Sequence, residues 1–297
     1  MVGTTAEPAV LASAQRERRS ELSRSWRRFK RYRPGIAGLV FIGLLVVMAL
    51  ASPLLAPYSP TTLDTRLIGQ GPSLAHPLGF DHIGRDVLSR VIYGSRIALM
   101  VGLIATGISV VMGVSIGAAA GYFGGWIDSL LSRVVDTLMA FPTLVLLVTL
   151  AAVVGPSLRN VIIVIGMTFW ATYARVVRAD VMSLRERDFI HAARAIGAPD
   201  VRIIFRHIVP NIMGPVIVIA TLGIGGIIIL EAALSFLGLG IQPPTPSWGG
   251  DLSSARVHIR NYPHIAIAPG VMITITVIAF NLLGDGLRDA LDPRQRD

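Results

Sequence analysis

This sequence predicts an all-α protein that crosses a lipid bilayer six times, and three observations carry that expectation. Only 15% of its 297 residues are charged while 53% are hydrophobic, against about 25% charged in soluble domains. The charges also avoid long windows: none lies between Pro34 and Tyr58, Ile97 and Ile127, Thr137 and Leu158, Asn160 and Ala174, His207 and Leu230, or Asn261 and Gly284. A spanning helix needs roughly 20 apolar residues, and only the fourth window is short, which Arg159 and Arg175 remedy by snorkelling. Finally, with the amino terminus inside, 20 of the 27 basic residues fall on the inner side and seven on the outer. Lys and Arg are retained on the cytoplasmic side, so both termini are expected in the cytoplasm, with the chain in the inner (cytoplasmic) membrane.

Taken in order, residues 1–33 form a cytoplasmic tail whose first part has too little apolar content to order itself. Trp26, Phe29 and Tyr32, set among Arg27, Arg28, Lys30, Arg31 and Arg33, predict a short basic interfacial segment at the lipid headgroups. The window after it ends in Ala49-Leu50-Ala51, which resembles a cleavage site. Its apolar run nevertheless exceeds the ~7–15 residues of a signal peptide, so it reads as an uncleaved anchor. The transmembrane domain is expected over 34–290, with spans near 34–56, 96–120, 134–154, 158–176, 211–236 and 265–287. An extracytoplasmic loop is expected over 57–95, a cytoplasmic loop over 177–210 and a tail over 291–297.

Within the second span, Gly113, Gly117, Gly121 and Gly125 recur every four residues, the small-residue stripe along which membrane helices approach closely. Gly223, Gly225 and Gly226, with Pro215 below them, predict similar packing or a break. The prolines of GIQPPTPSWGG, within 238–264, forbid a helix there. No internal sequence repeat marks two fused halves, so a pathway would be built with a second subunit.

Several chemistries are excluded. With no cysteine there is no disulfide, thiolate metal site or cysteine nucleophile. The one lysine, Lys30, follows Phe29, so the phosphate-loop pattern is missing. Basic residues scattered over loops between spans argue against nucleic acid as a partner. His76, Asp81, His82 and Asp86 in HPLGFDHIGRD lack the helical spacing of a zinc site, and the simpler expectation is Asp86 pairing with Arg85 or Arg90. There is no G-x-S-x-G elbow. Glu231 alone is an acid well inside an apolar window; a hydrogen bond or ion pair near the helix end is expected rather than a proton site.

The most informative segment is Asp188–Pro210, DFIHAARAIGAPDVRIIFRHIVP. Phe189, Ile190, Ala193 and Ile196 form one apolar helical face. Gly197 then sits where a helix ends in a left-handed turn, and Pro199 discourages continuation. Val201, Ile204, Phe205 and Ile208 rebuild a second apolar face, with Arg194, Arg202 and Arg206 directed elsewhere. So basic an element between apolar spans is a cytoplasmic loop shaped for a partner.

This segment resembles the EAA loop of ATP-binding-cassette importer permeases. The matching positions are Ala192, Ala193, Gly197, Ile208 and Pro210, and His191 stands where the family usually has Glu. HPLGFDHIGRDVLSRVIYGSRI, LSFLGLGIQPPTPSWG and GDGLRDALDPR further resemble the C-type permease subunit of the dipeptide, oligopeptide and nickel importers. The resemblance implies a heterodimer with a homologous B-type permease, two cytoplasmic ATPase subunits that hold ATP and magnesium, and an extracytoplasmic peptide-binding protein. This chain itself would bind no cofactor or metal and catalyse nothing. Its ATPase contacts would come from Phe189, Ile190, His191, Ala192, Ala193, Arg194, Ile196, Gly197 and Arg202; no substrate-binding residue is identified. The alternatives are a nickel or glutathione importer of the same family, an ion-coupled secondary transporter, or a membrane subunit that transports nothing.

Overall fold

A computed structural model describes residues 26–291, and among them the regular structure is helical, with one isolated bridge between Phe80 and Asp86. The chain runs α1 (Arg33–Leu50), α2 (Val87–Phe123), α3 (Gly125–Ala140), α4 (Thr143–Val154), α5 (Leu158–Arg185), α6 (Asp188–Ala195), α7 (Val209–Phe236), α8 (Trp248–Ala255) and α9 (His264–Leu291). The expectations for residues 1–25 and 292–297 lie outside the described residues.

Five stretches, α1, α2, α5, α9 and Asp200–Phe236 containing α7, are long and apolar enough to cross a membrane; α3 and α4 make a sixth only as one pair bent by 90°. The third span was expected to run uninterrupted over 134–154. It breaks at Phe141-Pro142, where Phe141 is extended and neither residue is helical, because proline lacks an N–H and forces the residue before it out of helical geometry. The second differs too. α2 has 37 residues, about 55 Å of helix against a hydrocarbon core of about 30 Å. It starts at Val87 because the Asp86 carboxylate accepts from the Ser89 N–H at 2.8 Å, a cap that hydropathy does not register. Pro215 does not break α7, which continues through it.

The bundle is assembled on glycines. A Cβ on Gly113 would lie 2.8 Å from the Trp170 carbonyl oxygen, one on Gly117 2.5 Å from that of Ala174, and one on Gly121 2.7 Å from that of Arg178. Three positions of the stripe therefore fit α2 directly against α5, and Gly125 stands clear of it. In the same way a Cβ on Gly38 would lie 2.5 Å from the Ala279 carbonyl oxygen, so this glycine lets α1 close onto α9. Without a hydrophobic drive inside lipid, this close approach and the dispersion it gathers hold such helices together.

Among the described residues four buried apolar clusters fill the interior, and two of them join α2, α5 and α7. One joins Val101 and Ala105 of α2, Leu147 and Ala151 of α4, Val161 and Ile165 of α5, and Ile227 and Leu234 of α7. The other joins Tyr122, Val177, Val181, Ile190, Ala193, Ile203, Ile208 and Ile212. It anchors the segment between α5 and α7 to the ends of α2 and α5. Leu44, Val47 and Leu50 of α1 stay exposed, as a lipid-facing surface requires.

Candidate functional site

The segment joining α5 to α7 has the geometry its sequence predicts at its turn. α6 closes with the Gly197 N–H donating to the Arg194 carbonyl at 2.9 Å and the Ala198 N–H to that of Ala193 at 3.1 Å. That is the Schellman pattern, and Gly197 has φ +78°, a conformation costly for any residue with a Cβ. After Pro199 a short helix, Asp200–Arg202, passes into a widened π turn, Ile203–Ile208. The turn widens beside Pro210, which has no N–H for the Arg206 carbonyl.

Side-chain directions depart from the simple period. Ile190 and Ala193 are buried in the second cluster, whereas Phe189 (41% exposed) and Ile196 (84%) face outward with His191, Ala192 and Arg194. Gly197 and Arg202 are exposed as well. The expected second face is corrected likewise: Ile203 and Ile208 are buried, Ile204 is half-buried, and Val201 (67%) and Phe205 (70%) point outward. A uniform period of 3.6 misplaces Phe205 because the π turn advances the chain by an extra residue. The segment thus exposes four large apolar side chains, Phe189, Ile196, Val201 and Phe205, together with Arg194 and Arg202. Exposed apolar groups gathered on one segment are a feature of surfaces that meet a protein, a membrane or a ligand.

Two contacts that the sequence did not suggest fasten this segment to the bundle. The Tyr122 hydroxyl, at the end of α2, donates to Asp200 Oδ1 at 2.6 Å. The Arg194 guanidinium lies 5.0 Å from the centre of the Tyr122 ring, in cation–π range. A helix-end tyrosine 78 residues from its partner leaves no local pattern to read.

At the opposite end of α2, the loop before it and the α7–α9 connection interlock. The Arg85 side chain bonds Asp81 at 2.5 Å, Arg90 bonds Asp251 at 2.5 Å, and His76 Nδ1 meets Asp86 at 2.9 Å. The expected pairing of Asp86 with Arg85 or Arg90 is thus corrected: each arginine has its own aspartate, and Asp86 combines a helix cap with His76. His82 stacks on His258 at 4.9 Å, and the Trp248 Nε1–H donates to the Val91 carbonyl at 3.0 Å. Burial pushes the Asp251 carboxyl up against the opposing pull of Arg90; burial pushes His82 down. Among the described residues no group of three His, Asp or Glu could hold a metal. Glu231 is 2% exposed and accepts from the Ser235 hydroxyl at 2.7 Å, while the Ile241 N–H donates to Ser235 Oγ at 3.2 Å. The carboxylate thereby ties the end of α7 to the loop after it.

Residues 113–297 match the family described as the inner membrane component of binding-protein-dependent transport systems. The chain belongs to that family of transport permeases. Residues 20–74 also match the N-terminal transmembrane domain of oligopeptide transport permease C. Among curated relatives, the dipeptide transport system permease protein DppC of Alkalihalophilus pseudofirmus is 44% identical over 92% of this chain and 90% of that protein. The glutathione transport system permease protein GsiD of Escherichia coli O157:H7 is 44% identical over 91% and 89%. Among solved structures, the MetNI methionine ABC transporter, inward facing, superposes with TM-score 0.56 at 19% identity, over 68% of this chain and 96% of that one. An amino acid ABC transporter superposes with TM-score 0.52 at 16% identity, over 67% and 92%. These two share the fold. The chain is therefore a multi-pass membrane transport subunit of an ABC importer, a class that works with ATPase and substrate-binding protein partners.

Proposed function

We propose that this permease forms half of an ATP-driven importer of dipeptides or oligopeptides, paired with a homologous B-type permease. Two ATPase subunits bind ATP and magnesium and carry out its hydrolysis; an extracytoplasmic binding protein delivers the peptide; this chain binds no cofactor. The identity to a dipeptide permease across nine-tenths of both chains supports the substrate class. A glutathione permease at equal identity supports a second substrate, itself a small peptide.

The observation that carries the coupling role is the outward exposure of Phe189, Ile196, Val201 and Phe205 on a loop locked by Gly197. His191, Ala192, Arg194 and Arg202 are exposed with them, and a short amphipathic helix seated in a groove is a common docking mode. Ile190 and Ala193, buried in this chain, set the height of that helix rather than touch the ATPase. Closure of the ATPases on ATP moves the loop and, through it, the spans.

Cysteine at position 192, in a chain that has none of its own, offers the test. Ala192→Cys is expected to cross-link to an ATPase subunit in the assembled complex, with ATP changing the yield. Cross-linking confined to lipid-side or extracytoplasmic reagents would overturn both the coupling role and the cytoplasmic placement of the termini.

A further inference from the structure

A cavity of about 210 Å³ opens between α2, α3 and α5. Gly117 and Ala120 of α2, Val135 of α3 and Ala174 of α5 give it an apolar floor, and Asp136 and Arg175 stand beside them. Its existence follows from the glycine stripe. Gly117 brings α2 into contact with α5, while α3, leading into the bend at Pro142, stays far enough away to leave space between all three.

The polar groups here fall into two sorts. Arg178 is bonded to Asp128, its Nη2 donating to Oδ2 at 2.7 Å, and the Ser132 hydroxyl donates to the same carboxylate at 3.1 Å. That pair is mostly covered, with Arg178 34% and Asp128 17% exposed, which fits a fixed brace between α3 and α5. Asp136 and Arg175 also meet, at 2.7 Å, but 65% and 52% of their side chains remain exposed. An ion pair so open adds little to stability. Its two members are therefore free to exchange each other for the charges of a ligand. One carboxylate and one guanidinium over an apolar floor complement a molecule with an ammonium, a carboxylate and apolar bulk between them.

We propose that this cavity is a binding site for small zwitterionic amino-carboxylates, of which a free dipeptide is the type. The ligand's ammonium takes the Asp136 carboxylate and its carboxylate takes the Arg175 guanidinium, so the two residues exchange each other for the ligand. The Arg178–Asp128 pair keeps the helices in place meanwhile. The assignment of a peptide as the natural ligand rests on the import reading above; the charge complementarity does not.

The test uses the complex purified with its partner subunits but without binding protein, and radiolabelled Gly-Leu as probe. Saturable binding is expected, and about tenfold weaker binding in either Asp136→Asn or Arg175→Gln, since each removes one charge-assisted hydrogen bond. N-acetyl-Gly-Leu-amide, which lacks both charges, should not compete. The double exchange Asp136→Arg with Arg175→Asp, which turns the pair round, should recover most of the binding and guards against a simple folding defect. The site is wrong if wild type shows no saturable binding, if both single variants bind as wild type, or if the capped compound competes. Should the complex import no peptide while Gly-Leu binding still depends on Asp136 and Arg175, the import reading fails and the site stands. If import proceeds and the variants bind unchanged, the reverse holds.

Discussion

Arg90 and Asp251 lie 161 positions apart and meet in a buried ion pair, Nη2 to Oδ1 at 2.5 Å. Arg90 also donates to the Pro60 carbonyl at 3.0 Å. One guanidinium therefore joins the loop before α2, the first turns of α2 and the short helix α8. Removing one partner strands the other charge away from water, which typically costs about 3–5 kcal/mol. Asp251→Ala is expected to lower the thermal midpoint of the purified protein markedly, whereas Arg90→Met with Asp251→Leu should recover much of the loss. A double variant no better than the single one would show that the pair is not energetically linked.

The same junction predicts an acid sensitivity. Burial holds His82 below its ordinary value of 6.5, with His258, Arg85 and Arg90 acting in the same direction and Asp81 against them. The unfolded chain binds this proton more readily than the folded one, so stability rises with pH and is lost as pH falls below about 6.5. His82→Phe, which keeps a flat ring against His258, is expected to flatten the thermal midpoint between pH 7 and pH 5. An unchanged slope would assign the sensitivity elsewhere.

Gly117→Val places a branched side chain where even a Cβ comes within 2.5 Å of the Ala174 carbonyl oxygen. Separation of α2 from α5 should follow, read as loss of monodisperse protein after extraction. Gly107, on the same helix, has nothing within 4 Å of an added Cβ. Gly107→Ala is expected to be neutral or to stabilise by up to about 1 kcal/mol, the difference in helix propensity.

At Gly197 an added Cβ meets nothing within 4 Å, so a side chain there is opposed by backbone geometry alone, about 1–2 kcal/mol. Gly197→Leu should assemble and still dock the binding protein, yet transport poorly, because the turn that orients α6 is disfavoured. Normal peptide uptake by this variant in proteoliposomes would remove Gly197 from the coupling element.

Glu231→Gln retains an oxygen to accept from Ser235, so transport and its pH profile should match wild type. Glu231→Ala loses that bond and opens a gap, and should cost about 1–3 kcal/mol in stability. A shifted pH profile in Glu231→Gln would instead make this carboxyl a proton carrier.

How far the sequence reveals this structure depends on whether each feature is local. Five of the charge-free windows coincide with helices long and apolar enough to cross a membrane, the third with a bent pair, and the small-residue spacing marked Gly113, Gly117 and Gly121 as a contact line. The turn at Gly197 was legible because its signal occupies a few consecutive residues. Less visible was the start of α2, set by the Asp86 cap rather than by hydropathy. Phe205 was assigned to the wrong face, since a π turn breaks the period that assigned it. Arg90–Asp251 and Tyr122–Asp200 were invisible, because each joins residues whose neighbours in the chain say nothing of one another.

α2 is held at both ends, by Asp86 and Arg90 in the junction at its start and by the Tyr122 hydroxyl on Asp200 at the other. Between them lie about 55 Å of unbroken helix, too stiff to absorb a push by bending. A tilt of about 10° about one end carries the other through about 10 Å at that length. Work delivered at Asp200 would thus reappear on the far side of the membrane as leverage on the Asp81, Arg85 and Asp251 group, with no relay of small rearrangements between.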